Sequence, residues 1–263
     1  MKIFCCQFDI AWENKRANFD KVEDLLARAR PPAGSLVALP EMGFTGFSMN
    51  VAQIAKGEPK LTETFLTAMA QRHGVYLIAG LVTRTPEGLG RNEAVLVTPD
   101  GTVEAHYQKL HLFSPAGEHA FYEPGTREIT FAWQGGTVAP FICYDLRFPE
   151  VFRAAVDQGA EFYVVIANWP RVRERHWLAL LQARAIENQA FVAGVNRCGR
   201  DPQLDYSGRS AIFGPDGEVI ADAGNSEGWI SAELDWETVR AYRRRFPALS
   251  DRRHSPSVSG AAQ

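Results

Sequence analysis

An α/β fold is the architecture this sequence predicts, and three observations predict it. Short apolar, β-rich segments alternate with helix-period segments along most of the chain. Two strand-like pairs are each joined by a Pro-Asp-Gly turn, at Pro99-Asp100-Gly101 and Pro215-Asp216-Gly217. The composition, 46% hydrophobic and 22% charged, suits a chain that buries a large core and excludes disordered or fibrous classes.

Taken in order, residues 2–8 read as a strand and 17–30 as a helix, followed by a strand at 36–39, a helix at 61–73 and a strand at 75–82. Residues 93–97 and 102–107 then read as a hairpin, because Pro99 presets the turn and Gly101 takes the left-handed position. A strand at 138–142 leads to a helix opening near Pro149, whose missing N–H costs nothing in a first turn. Next come a buried-looking strand at 162–167, a helix at 174–188 and a strand at 191–196. A second hairpin, 210–213 with 218–221, repeats the design of the first and hints at two related halves. After a strand at 229–234, Asp235 reads as the N-cap of a last helix running to about residue 246. The polar tail from Ser250 has no periodicity and reads as a loose end. No linker-like stretch divides the 263 residues, so a single domain over 1–263, with 250–263 as its tail, is expected.

Composition narrows the function. With 28 Lys plus Arg against 31 Asp plus Glu, the net charge is −3, which argues against a nucleic-acid binder. The opening residues lack the pattern of a signal peptide. The longest apolar run, 162–167, is far short of the roughly 20 residues that span a bilayer, so no membrane partner is expected. Cys5, Cys6, Cys143 and Cys198 fit neither a disulfide framework nor a zinc pattern and suit a reducing cytoplasm.

Three strand ends offer chemistry. In Phe141-Ile142-Cys143-Tyr144-Asp145-Leu146-Arg147-Phe148-Pro149-Glu150 a strand runs into a cysteine and then a sharp turn. Such a turn can expose a nucleophile and aim backbone N–H groups at an oxyanion. A free cysteine there can equally be a small buried hydrophobe. Leu39-Pro40-Glu41 puts a carboxylate at a strand end ahead of a glycine-containing turn, either as a general base or as a solvated turn residue. Tyr107-Gln108-Lys109-Leu110-His111-Leu112-Phe113 ends the first hairpin with a lysine among apolar residues, where it can also simply snorkel. Together, glutamate, lysine and cysteine form a complete set for amide hydrolysis.

These three blocks resemble the signature blocks of the carbon–nitrogen hydrolase (nitrilase) superfamily. Similarity continues through Ala167-Asn168-Trp169-Pro170, His176-Trp177 and Ala183-Arg184-Ala185-Ile186-Glu187-Asn188-Gln189, and over roughly 1–246 the chain resembles the omega-amidase branch. The resemblance implies a four-layer α/β/β/α sandwich that dimerises through helical faces. It also implies an amidase that cleaves the terminal amide of 2-oxo dicarboxylic acid monoamides, such as 2-oxoglutaramate and 2-oxosuccinamate, through a cysteine thioester. By the same resemblance Cys143 is the nucleophile, Glu41 the general base and Lys109 the cation facing the tetrahedral intermediate. Glu118, ahead of Tyr122-Glu123-Pro124-Gly125, matches a second family glutamate. One departure is Arg209, where relatives often carry an acidic residue, which leaves the local ion pairing open.

Physical logic adds the rest. The Tyr144 N–H is the expected second oxyanion donor, and no metal, nucleotide or redox cofactor is required. A substrate carboxylate wants a guanidinium, for which Arg147 and Arg173 are the candidates, although Arg147 can equally bridge a Glu or Asp structurally. Arg171 and Arg175 read as exposed charges, and Trp169 and Phe113 as pocket walls or core. Rival readings are a metal-dependent hydrolase built on His106, His111, Glu118 and His119, which lack a ligand-like spacing, and a non-catalytic interaction protein on the same fold. Within the family, a nitrilase or an amidase of deaminated peptides competes.

Overall fold

The computed structural model describes residues 1–253, so the expected loose tail lies, from residue 254 onward, outside the described residues. Just before that limit, the Ser250 hydroxyl donates to Pro247 O and Arg252 pairs with Asp157.

The first half of the chain runs β1 (Lys2–Gln7), α1 (Lys15–Ala29), β2 (Leu36–Ala38), α2 (Val51–Ile54), α3 (Lys60–His73), β3 (Tyr76–Arg84), β4 (Gly90–Val97) and β5 (Val103–Gln108). The second runs β6 (Phe131–Trp133), β7 (Gly136–Ile142), α4 (Pro149–Asp157), β8 (Phe162–Ala167), α5 (Glu174–Asn188), β9 (Phe191–Asn196), β10 (Cys198–Arg200), β11 (Asp205–Ser207), β12 (Ala211–Phe213), β13 (Val219–Asp222), β14 (Gly228–Glu233) and α6 (Trp236–Arg245). Two six-stranded sheets result, ordered β14-β1-β2-β3-β4-β5 and β13-β12-β9-β8-β7-β6, with β10 and β11 paired apart from both. In each sheet three neighbouring strands are parallel, β1–β2–β3 and β7–β8–β9, and the flanking pairs are antiparallel. The last strand closes the first sheet: β14 pairs with β1 from Lys2↔Glu233 to Gln7↔Gly228.

Strand period explains the layers. Along β1, Ile3 and Cys5 face the core between the sheets, while Phe4 and Cys6 face outward onto Phe19, Val22, Leu25 and Leu26 of α1 and Leu66, Met69 and Ala70 of α3. In the second sheet β8 is buried along its whole length. Residues of β7, β8 and β9 share one core with Val151, Phe152 and Ala155 of α4 and Leu181 and Ala185 of α5. The stack is helix, sheet, sheet, helix, as the sequence led us to expect.

Ends moved where a cap decides them. α1 opens at Lys15 because the Asn14 side chain accepts the N–H of Ala17. Asp235 caps α6 by accepting from the N–H of Glu237. The strands β6, β10 and β11 and the four-residue α2 were not anticipated, since elements of three or four residues carry no readable period.

Candidate active site

Topology brings the chemistry to one end of the sandwich. Glu41 and Lys109 follow the carboxyl ends of β2 and β5, and Asn92 lies near the amino end of the oppositely running β4. From the second sheet, Cys143 and Asn168 follow the carboxyl ends of β7 and β8. Crevices beyond the carboxyl ends of parallel strands are where α/β proteins bind ligands.

Glu41 sits on a turn that packs closely against β3. A Cβ added at Gly80 would lie 2.6 Å from Glu41 Cα and 2.3 Å from Met42 N, so a glycine is required there. The Glu41 carboxylate is fully buried and every contact is a donor: Oε1 accepts from Lys109 Nζ at 2.9 Å and Asn92 Nδ2 at 2.8 Å, and Oε2 from the Asn168 N–H at 2.7 Å. Asn168 Nδ2 also donates to the Glu41 carbonyl at 2.6 Å, gripping it from the other sheet. Buried Lys109 reaches both oxygens of buried Glu118, at 3.2 and 3.0 Å. Glu118 is held in turn by Asn92 Nδ2 at 3.0 Å and the N–H of Phe113 at 2.5 Å.

Cys143 opens a 3₁₀ turn, Cys143–Arg147, with φ 47°, a left-handed conformation that a non-glycine residue adopts at some cost. Its Sγ lies 4.0 Å from Asn168 O. Tyr144 follows in the first turn, where backbone N–H groups have no acceptor within the helix.

Electrostatics assigns protonation states. Burial raises the Glu41 carboxyl, but the Lys109 charge and the hydrogen bonds from Lys109, Asn92 and Asn168 outweigh it, leaving Glu41 below its ordinary value and ionised. Burial lowers Lys109, yet Glu118 and Glu41 more than compensate, so the ammonium stays charged. Burial, and then the Glu41 charge, push the Cys143 thiol well up against the opposing pull of Lys109. The resting site therefore holds a carboxylate, an ammonium and a protonated thiol.

Above the thiol is a cavity of about 190 Å³, below the roughly 300–1,000 Å³ of pockets for drug-sized ligands. Tyr144, Phe113, Trp169, Arg147 and Arg173 line it, so the structure brings every residue of the amidase reading to the thiol or to the cluster behind it. Arg147 lies over the Trp169 ring at 4.9 Å and meets His176 Nδ1 at 3.2 Å, and Arg173 lies over Phe113 at 5.2 Å. Among the described residues neither guanidinium pairs with a carboxylate, so the structural bridge considered for Arg147 is not formed. Arg209 makes its own pairs, with Asp222 at 2.6 Å and Glu174 at 3.1 Å.

The residues of the metal-centre reading separate in space. His106 contacts Glu63 and Glu93, His111 contacts Asp145, and Glu118 faces Lys109. Among the described residues no cluster of His, Cys, Asp and Glu is arranged to hold a metal ion. Sequence reasoning gave no role to Asn92, which carries no local signal near the start of β4. It also gave none to the side chains of Asn168 and Asp145, although both stood inside the quoted blocks.

Comparison with known proteins completes the description. The family model for carbon-nitrogen hydrolase matches residues 2–244. The chain is 40% identical over 253 residues to the Omega-amidase YafV of Yersinia enterocolitica, covering 95% of this chain and 96% of that protein. To the 2-oxoglutaramate amidase of Bacillus subtilis it is 35% identical, again over 95% and 96%. Its fold superimposes with a TM-score of 0.89 on a CN-hydrolase superfamily protein, XC1258 of Xanthomonas campestris, at 35% identity over 97% of this chain and 98% of that one. That structure carries an arsenic adduct in its active site.

Proposed function

Because the chain belongs to the carbon–nitrogen hydrolase family, we propose that this amidase uses Cys143, Glu41 and Lys109 to hydrolyse the terminal amide of short 2-oxo dicarboxylic acid monoamides, releasing ammonia. One observation carries the substrate class: a small cavity at the thiol, lined by two guanidinium groups that pair with no carboxylate among the described residues. Half-buried and lying over aromatic faces, such groups favour a ligand carboxylate that accepts from them in a fixed geometry. The names of the relatives point the same way.

The steps follow from the protonation states. Ionised Glu41 takes the thiol proton as Sγ attacks the amide carbon. The developing oxyanion faces the Tyr144 N–H and the Lys109 ammonium, whose two contacts to Glu118 can share one proton and free another. Protonated Glu41 then gives its proton to the departing nitrogen, ammonia leaves, and a thioester remains on Cys143. Water deprotonated by Glu41 attacks the thioester, the C–S bond breaks to release the acid, and Glu41 returns its proton to the Cys143 thiolate. Glu118 keeps Lys109 charged and fixes Asn92 beside the base. This scheme calls on no cofactor.

The active form is a homodimer in this reading. Ile186 near the end of α5, Val219 and Ile220 on β13, and Phe246 after α6 are large apolar side chains left exposed around the outer helical layer. Four free thiols fit a cytoplasmic setting. Among the described residues no helix is long and apolar enough to cross a membrane.

Ammonia release from 2-oxoglutaramate, 2-oxosuccinamate, a neutral amide of equal length and the matched nitrile tests the substrate class. The two oxo-acid amides should turn over fastest, and Arg173→Ala should penalise them far more than the neutral amide. Faster turnover of the neutral amide or the nitrile overturns the substrate class. An unchanged preference in Arg173→Ala overturns the choice of arginine.

A further inference from the structure

Thiol and ammonium stand on different sheets, so something must fix their spacing. Lys109 is held within the first sheet by its N–H to Asn92 O at 2.9 Å and by its carbonyl, which accepts from the N–H of Gly125 at 2.8 Å. Neither bond reaches the second sheet. Besides the Asn168 contacts to Glu41, a link across comes from one carboxylate that the reaction scheme does not use.

We propose that Asp145 is a positioning residue that sets the distance and orientation between Lys109 and Cys143 by binding the segments that carry both. It lies two residues after Cys143 and is fully buried. Its Oδ2 accepts from the Tyr107 hydroxyl at 2.7 Å and from the N–H of Ile142 at 3.1 Å. Its Oδ1 accepts from the N–H of His111 at 2.8 Å and lies 3.0 Å from His111 Nδ1. Tyr107 and His111 flank Lys109 two residues to either side, and Ile142 immediately precedes Cys143. One side chain therefore holds both shoulders of the lysine and the residue at the base of the elbow.

The rings that carry the donors are aligned by the same half of the molecule. His111 stacks on Phe148 with centroids 3.7 Å apart and planes 9° apart, and Tyr107 meets Phe141 edge-on at 5.8 Å. Burial, with the Asp145 charge adding to it, pushes the Tyr107 phenol well above its ordinary value, so its O–H is a fixed donor. An apolar residue of the same size would fill this space without the cost of burying a carboxylate. What the carboxylate adds is four directed contacts, the property a joint between two reactive groups needs.

The proposal rests on the catalytic reading of Cys143 and Lys109, and the test separates the two. In Asp145→Asn one oxygen becomes a donor facing donors, and in Tyr107→Phe one of the four contacts is removed with the ring kept. Three quantities are read at a temperature where circular dichroism shows folded protein: kcat, KM and the pH midpoint of Cys143 alkylation by iodoacetamide, followed by peptide mass spectrometry. Asp145→Asn should lose at least about 10-fold in kcat with KM within about 3-fold, since an ångström of misplacement can cost on the order of 100-fold. Its alkylation midpoint should rise, because the ammonium that favours the thiolate is no longer held in place. Tyr107→Phe should move the same quantities the same way by less, and it decides the matter if Asp145→Asn does not fold. Lower thermal stability with kcat and alkylation midpoint unchanged overturns the proposal and leaves Asp145 a packing residue. Persistent ammonia release by Cys143→Ala would instead overturn the catalytic reading, while the alkylation midpoint would still report the spacing in the variants that keep the thiol.

Discussion

A thiol has an ordinary pKa near 8.5, and Cys143 is pushed higher still by burial and by Glu41, so it does not wait for substrate as a thiolate. In the proposed mechanism it is deprotonated during attack, by Glu41, a carboxylate that its donors keep ionised. Cys143→Ala should therefore abolish ammonia release with the fold retained. Cys198→Ala should keep most activity, because Cys198 does not line the cavity and burial pushes its thiol up to about 11. Equal loss in the two variants, both folded by circular dichroism, refutes the assignment. Glu41→Gln and Lys109→Ala should each cost about 10²–10⁴-fold in kcat. The double variant should be little worse than either alone, since the groups act as a unit. A Lys109→Ala variant altered in KM alone would make Lys109 a binding residue.

Elements set these side chains, and their legibility in the sequence follows their length. The helix at 174–188 and the strands at 162–167 and 191–196 fall where the sequence placed them to the residue, being long apolar-rich runs of six residues or more. The glutamate, lysine and cysteine stood out because each follows the end of a readable strand. Asn92 and Asp145 did not, because their roles come from pairing across strands and between sheets, which no local pattern records. Gly80 belongs to the same class. Gly80→Ala should drive Glu41 off its donors and lower kcat by roughly 10- to 100-fold, and steady-state kinetics near the wild-type values would show that the turn yields harmlessly. On the same sheet His106 of β5 meets Glu63 of α3 at 2.9 Å and Glu93 of β4 at 3.6 Å. The close approach of the Glu93 carboxylate raises its pKa, burial opposes this, and the Glu63 charge adds to the rise. With the folded value above the unfolded one, this contribution to stability is complete below about pH 6.5 and is lost as pH rises through the folded value. His106→Gln should remove that slope from the urea midpoint measured against pH, and parallel curves for variant and wild type would contradict it.

At the scale of the whole molecule, the prediction concerns association. Light scattering at micromolar concentration should give the mass of two chains. Ile186→Glu, placing a charge in the exposed apolar surface around α5, should shift the mass toward one chain. A wild type that scatters as a single chain counts against the dimer.

The pairing of β14 with β1 bears on how the enzyme is made. On the ribosome, β1 waits with an open edge until its partner β14, more than two hundred residues later, has been synthesised. Met1 and Leu234 then exchange two hydrogen bonds that latch the ends of that pairing. An unpaired edge is a template for association with other chains, so translation exposes this protein to aggregation for most of its synthesis. Glu41 and Lys109 are made early and Cys143 midway, yet the sheet that holds the first two is completed only near the end. The sheet that carries Glu41 and Lys109 is therefore the later of the two six-stranded sheets to be completed, closed by a strand made after every residue of the site.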